Sequence, residues 1–283
     1  MKVLLAGATG AIGRLLLPLL VDAGHQVSGT TRSAARSQRI AAAGGRPVVL
    51  DALDREAVLA ALRAERPDVV IHQLTDLSRR DFAANARLRV EGTRNLVDAA
   101  LATGVQRMVA ESIAWIHVPG RGPASEEEPL DLDAPPPRGR MVAAVQSLER
   151  AVAEVPVGVV LRYGILYGPG TWYSREGLTT GQVLRGEVVA DDAVTSFVHV
   201  ADAARAALEA LHWPAGPLHV VDDEPAAGRD WVPAYAALVG AAPPPRRPGS
   251  QGWERGASNA RARRLGWRPA FPSWRQGFAS VLR

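Results

Sequence analysis

The chain contains no cysteine, which rules out disulfides, thiolate metal ligands and cysteine nucleophiles. It has a single lysine, Lys2, so its 33 basic side chains are otherwise arginine. Aromatic residues make up only 5% of the sequence. No apolar run approaches the roughly 18 residues that a membrane span requires. The N-terminal stretch lacks a basic segment followed by a long apolar run and a cleavage site, so no secretory leader is expected. The cytoplasm is therefore the expected compartment. A formal charge of +4 is modest, and the densest arginines, Arg246-Arg247 and Arg255 to Arg264, interleave with Pro, Trp and Gly. That mixture suits a folded, solvated surface better than a nucleic-acid-binding arm. No metal site is expected.

What is present begins at once. Val3-Leu4-Leu5-Ala6 reads as a buried strand that runs into Gly7-Ala8-Thr9-Gly10-Ala11-Ile12-Gly13 and then a helix. Each glycine of this GxxGxxG spacing answers a different steric demand. One permits a tight turn, one lets the backbone approach a pyrophosphate, and one lets the helix pack closely on the strand. The uncompensated N–H groups at the helix start favour an anion. Gly7, Thr9, Gly10, Ala11, Ile12 and Gly13 are thus candidate dinucleotide-binding residues.

Strands and helices alternate after this turn. Strands are expected at Lys2–Ala6, Gln26–Thr30, Pro47–Leu50 (short and buried), Asp68–Gln73, Arg107–Glu111 and Val157–Arg162. Helices are expected at Ile12–Ala23, about Ser33–Ala43, Arg55–Glu65, roughly Arg79–Ala102 and Arg138–Ala153. Such alternation implies right-handed crossovers and a parallel sheet. The fold expected is α/β, a Rossmann-type doubly wound parallel sheet with a smaller C-terminal substrate lobe. Phe197–Val200 and Leu218–Val221 read as strands returning to the main sheet. The dinucleotide-binding core would then be residues 1–164 plus 197–221, and the lobe 165–196 plus 222–283.

Ligands of an open parallel sheet sit beyond the carboxyl ends of its strands. After the second strand, Arg32 offers a planar fork suited to a 2′-phosphate where an NAD-binding site usually has a carboxylate. Arg36 could reinforce it, and NADP is expected over NAD. The alternative is that Arg32 caps a solvated helix start. After the third strand, Asp51, with Ala52 beside it, is placed to accept from the adenine amine, while Asp54 reads as a helix cap. After the fourth, His72-Gln73-Leu74-Thr75 would pass along the cofactor's ribose and pyrophosphate, Gln73 and Leu74 being the candidate contacts. His72 could equally be a satisfied core histidine.

Several segments together resemble the extended and atypical short-chain dehydrogenases/reductases, within their epimerase/dehydratase branch. They are Gly7–Gly13, the Asp51 position, Val90-Glu91-Gly92-Thr93-Arg94-Asn95-Leu96, Glu111-Ser112, Arg162–Gly170, Phe197–Asp202 and Leu265-Gly266-Trp267-Arg268-Pro269. The resemblance spans nearly the whole chain, in the family's order. It implies a nicotinamide dinucleotide cofactor, with Ser112 hydrogen-bonding a substrate carbonyl. It also implies a Tyr-x-x-x-Lys pair in which the lysine lowers the tyrosine's pKa. With Lys2 as the only lysine, no such pair exists in this chain. Counting back from Glu149 puts Met141 at the tyrosine position and Val145 at the lysine position. Arg89 stands where the helix motif usually begins with asparagine.

A replacement proton donor would be sought in Ser112, His117 or Tyr163. Tyr167, Trp172 and Tyr173 are candidates for the wall of a substrate pocket. The function expected is an NADP(H)-dependent oxidoreductase of the atypical type, acting on a small-molecule carbonyl or sugar-like substrate with a non-standard proton donor. A redox-neutral lyase, cyclase or isomerase and a non-catalytic NADP(H) sensor remain as alternatives. The expected partners are a small-molecule substrate and, at most, a second copy in a homodimer, with no nucleic acid and no membrane.

Overall fold

The computed structural model describes residues 1–77 and 80–282. Its seven-stranded sheet comprises β1 (Lys2–Ala6), β2 (Gln26–Thr31), β3 (Arg46–Val49), β4 (Val69–His72), β5 (Arg107–Ile113), β6 (Val157–Tyr163) and β7 (Gly216–Val220), in the order β7-β6-β5-β4-β1-β2-β3. The pairs β1–β2, β1–β4, β2–β3 and β4–β5 are parallel, Val3 lying opposite both Val27 and Val69. The reversal of strand order beside β1 is the switch point at which such sheets bind ligands. Central strands covered on both faces read as unbroken apolar runs, and Val3 to Ala6 and Val69 to His72 are accordingly all buried. The third strand departs from expectation. As the sheet's edge it is mostly exposed, Val49 to 58%.

The helices that connect these strands include α1 (Gly13–Asp22), α2 (Ser37–Ala42), α3 (Arg55–Glu65), α4 (Phe82–Arg87), α5 (Thr93–Ala102) and α6 (Arg138–Val152). Asp54 caps α3, its carboxylate accepting from the Ala57 amide at 3.0 Å. The start expected near Arg79 lies outside the described residues; α4 begins at Phe82 behind its Asp81 cap. The long helix is not uniform, since Leu88–Gly92 between α4 and α5 is a single π-helical turn. A wide turn of this kind re-aims side chains and recurs at functional sites.

The chain divides into two compact units. The first is residues 1–112, 132–161 and 204–217, and the second is 113–131, 162–203 and 218–283. This division differs from the expected one: 113–131 groups with the second unit, and only 204–217 of the later chain joins the first. The core of the first unit packs Leu4, Val70, Met108 and Val160 from the sheet against Val58 and Leu62 of α3, Leu96 and Val97 of α5, and Leu148 and Val152 of α6.

The second unit concentrates the scarce aromatics. Tyr167, Phe197, Trp231, Tyr235, Trp274 and Phe278 form one buried cluster. Its rings meet edge to face, Phe197 and Phe278 with centroids 5.1 Å apart, the geometry aromatic quadrupoles prefer. Phe197–His199 does not return to the main sheet as expected. It pairs in parallel with Ile165–Tyr167 in a separate two-stranded sheet. Among the described residues, no helix is long and apolar enough to cross a membrane.

Candidate functional site

In the first unit the glycine turn closes β1 onto α1. Gly7 has φ of +89°, and a Cβ there would lie 2.7 Å from the Gln73 carbonyl oxygen. At Gly13 a Cβ would fall 2.1 Å from the Gly7 oxygen. Both positions therefore exclude side chains, one for the turn and one for helix packing. Gly10 is the exposed glycine of the three, while Ile12 and Gly13 are buried and Thr9 and Ala11 half-buried. No side chain caps the start of α1; its Arg14 and Leu15 amides donate to the Gly10 and Ile12 carbonyls, and the positive end of the helix still favours an anion at the turn. The turn is anchored to β2 through Gly7 N–H to Thr30 Oγ1 at 3.3 Å and Ala8 N–H to the Thr30 carbonyl at 3.2 Å.

The residues following the neighbouring strands are also placed by local bonds. Arg32 is exposed, and its guanidinium donates to Asp76 at 3.1 Å. Arg36 is exposed four residues on. Asp51 is exposed and accepts from the Leu53 amide at 3.0 Å, and Ala52 is buried with its carbonyl accepting from Asn95 at 2.9 Å. Gln73 is buried, and neither its side-chain oxygen nor its nitrogen has a hydrogen-bond partner. An orphaned amide beside a glycine cradle is what a polar ligand would satisfy. Together these features fit the pyrophosphate-bearing half of a dinucleotide.

His72 resolves in favour of the core. Its Nδ1 accepts from the Leu74 amide at 3.1 Å, so the hydrogen is on Nε2, which donates to Thr93 Oγ1 at 2.9 Å. Burial, reinforced by the Arg89 charge, pushes its pKa down to about 4. It stays neutral and holds the loop after β4.

At the end of β5 lie two polar pairs. Ser112 is buried, and its hydroxyl donates to Glu149 Oε1 of α6 at 2.7 Å. Arg89, on the π turn, faces Glu111 at 3.7 Å with both side chains buried. Burial drives the Glu111 carboxyl upward, and the Arg89 guanidinium opposes that rise. Sequence reasoning noted Arg89 only as a departure from the family pattern. The signal for the pair was Glu111 itself, a carboxylate inside the apolar strand Met108-Val109-Ala110-Glu111, which needs a cation to stay buried. On α6, Met141 is half-buried and Val145 fully buried.

The remaining candidates belong to the second unit, where packing occupies most of them. His117 is 2% exposed, with Nδ1 facing the Glu128 carbonyl at 3.0 Å and Nε2 facing His219 Nε2 at 3.0 Å. Burial and the nearby Arg162 charge hold its pKa below the usual histidine range. The Tyr163 hydroxyl donates to the Ala203 carbonyl at 3.4 Å. Each of the three expected proton donors (Ser112, His117 and Tyr163) thus has a hydrogen directed at an acceptor within its own unit. Tyr167 is fully buried in the aromatic cluster and forms core there, not a pocket wall. Tyr173 is half-buried against Phe197, Trp231 and Tyr235, and burial pushes its pKa up to about 12. Trp172 is half-buried.

Comparison with known proteins adds three findings. Residues 3–221 match the model of the NAD dependent epimerase/dehydratase family. A Streptomyces protein described as 3-diazoavenalumate denitrifying reductase is 49% identical, over 98% of this chain and 99% of its own. The solved UDP-glucose 4-epimerase of Thermus thermophilus, in complex with NAD, superposes with a TM-score of 0.80 at 26% identity, covering 100% of this chain and 98% of that one.

Proposed function

The chain belongs to the NAD dependent epimerase/dehydratase family, and on that premise we propose that it is an NADPH-dependent reductase that removes nitrogen from a diazo-bearing organic acid. The carrying observation is the 49% identity, along essentially both full lengths, to a denitrifying reductase of a diazo acid. The absent Tyr-x-x-x-Lys pair supports the same reading. Reducing a carbonyl needs a proton for the new alkoxide, whereas a diazonium carbon that gains a hydride releases N2 and needs none.

The glycine turn and the positive end of α1 would hold the cofactor's pyrophosphate. Asp51 would meet the adenine amine, and Gln73 and Leu74 would lie along the ribose and pyrophosphate. Arg32 and Arg36 would meet a 2′-phosphate, Arg32 exchanging its Asp76 partner for it; this favours NADP over NAD. When bound, the reduced nicotinamide supplies hydride. Of the three aromatic candidates for the substrate wall, Trp172 keeps that role, because Tyr167 and Tyr173 are committed to the core.

The test is to incubate the purified protein with NADPH and 3-diazoavenalumate and to follow NADPH absorbance together with N2 release. Stoichiometric loss of NADPH and release of N2 is expected. NADPH binding without N2 release would refute the reductive reading. Arg32→Ala should raise the Kd of NADPH at least tenfold more than that of NADH, and equal losses would remove the 2′-phosphate assignment.

A further inference from the structure

We infer that Gln73, together with the Arg89–Glu111 pair, holds the two hydroxyls of the cofactor's nicotinamide ribose. The inference rests on the cofactor reading above and not on the release of N2, and it adds Arg89 and Glu111 to the residues that meet the dinucleotide.

The strand order sets where each half of a dinucleotide falls. β2 and β3 lie on one side of β1 and its glycine turn, and β4 and then β5 lie on the other. A cofactor whose adenine half lies over β2 and β3 carries its second half over the carboxyl ends of β4 and β5. Adjacent strands are about 4.8 Å apart, so the sugar next to the pyrophosphate comes to the end of β4. Gln73 stands there. Its backbone amide donates to the Ala6 carbonyl at 2.9 Å, and its own carbonyl oxygen would lie 2.7 Å from a Cβ on Gly7. In the parallel register His72 lies opposite Ala110, which sets Gln73 beside Glu111 on the same face of the sheet. Arg89 comes from the π turn to 3.7 Å from Glu111. Its charge also reaches His72, one residue before Gln73. All three residues belong to the first unit.

The unmet atoms select the ligand. Both side-chain amide atoms of Gln73, Arg89 Nε and Glu111 Oε1 are buried without a hydrogen-bond partner. The three residues are 7%, 5% and 5% exposed. The two nitrogens donate, and the Gln73 oxygen accepts. A phosphate only accepts, so it would leave the Gln73 oxygen unmet. Each hydroxyl of a vicinal diol donates and accepts, so a diol answers both kinds of atom and suits Glu111 in either protonation state. The nicotinamide carboxamide is also mixed, but it lies beyond the ribose from the pyrophosphate, whereas Gln73 touches the turn. No hydrogen bond holds the Gln73 side chain back, so its amide swings to a ligand without breaking one. Lys2, the sole lysine, starts β1 at the opposite end of the strand from the turn and does not reach this place. Holding the ribose fixes the ring attached to it, which makes these three positioning residues.

Three probes divide the cofactor. They are NADP+, 2′-phospho-ADP-ribose, which keeps the second ribose and lacks nicotinamide, and 2′,5′-ADP, which lacks both. Kd values are measured by calorimetry for the wild type, Gln73→Met and the double variant Arg89→Met, Glu111→Leu, and urea midpoints are measured without ligand. Gln73→Met, close to glutamine in shape, should weaken NADP+ and 2′-phospho-ADP-ribose by about fivefold or more and leave 2′,5′-ADP within twofold. The double variant should show the same pattern. Without ligand, the midpoint of Gln73→Met should be no lower than that of the wild type, because the amide it removes has no partner. Equal losses for all three probes, or a lowered midpoint with unchanged affinities, would show a structural role and overturn the inference. A loss for NADP+ alone would move the contact to the nicotinamide ring and overturn the ribose assignment. A wild type that binds none of the three refutes the cofactor reading. One that binds all three as expected, yet releases no N2 from the diazo acid with NADPH, refutes the reductive reading alone.

Discussion

Replacing Asp222 with asparagine should make the protein more resistant to unfolding at neutral and alkaline pH. Asp222 follows β7 in the second unit and is 2% exposed. Neither carboxyl oxygen completes a hydrogen bond. Burial pushes its pKa from the usual 3.8 to about 8. The amides of Glu224 and Trp274 partly offset that rise, and the charges of Glu224 and Asp223 add to it. The folded protein therefore keeps this carboxyl protonated up to about pH 8, whereas the unfolded chain ionises it above pH 3.8. Below pH 3.8 both states bind the proton and nothing is lost. Between those values the unfolded chain gains by ionising, so stability falls as pH rises, and above about pH 8 the loss is constant.

At about 1.4 kcal/mol per pH unit, the loss at pH 7 is about 4 kcal/mol. Asparagine does not titrate. Urea midpoints measured from about pH 4 to about pH 9 should therefore show Asp222→Asn gaining on the wild type by several kcal/mol as pH rises through the window between the two pKa values. Curves that stay parallel across this range would refute the reasoning.

Other groups give narrower tests. His72, lowered from 6.5 to about 4, should cost the wild type about 3 kcal/mol as pH falls through that window, because the unfolded chain protonates first. His72→Gln should lose that acid slope in urea titrations. Gly277→Ala should destabilise strongly, by about 3 kcal/mol or more, since its Cβ would lie 1.8 Å from the Tyr167 hydroxyl oxygen. Tyr167→Phe should change thermal stability by less than about 1 kcal/mol, because that hydroxyl is buried without a partner. Arg89→Met should cost about 3–5 kcal/mol by stranding Glu111, and adding Glu111→Leu should recover much of it. A double variant as unstable as Arg89→Met alone would contradict the pairing.

The first unit was largely legible in the sequence because its signals are local. Apolar runs bounded by glycine, and helices with caps such as Asp54, declare themselves within a dozen residues. β3 misled for the same reason: Pro47-Val48-Val49-Leu50 is apolar, but its edge position is set by which strands lie beside it. The second unit depends on partners far along the chain. His117 is fixed by His219, 102 residues later, and Tyr167 becomes core only because Gly277 leaves room for it. Phe197–His199 joins Ile165–Tyr167 in a separate small sheet, a choice that hydrophobic alternation does not encode.

The catalytic question divides along the same line. The loss of the tyrosine and the lysine could be read without a structure, because a residue type with one copy in the chain cannot be elsewhere. That loss says which chemistry is missing and leaves the replacement open. Ser112 and Glu149 could be noted as family positions, yet the direction of the hydrogen between them is a property of α6 packing beside β5. Reversed, the same two residues would present a donor and suit an oxygen-centred anion. With the hydrogen on the Glu149 side, Ser112 keeps only lone pairs for a group that approaches it.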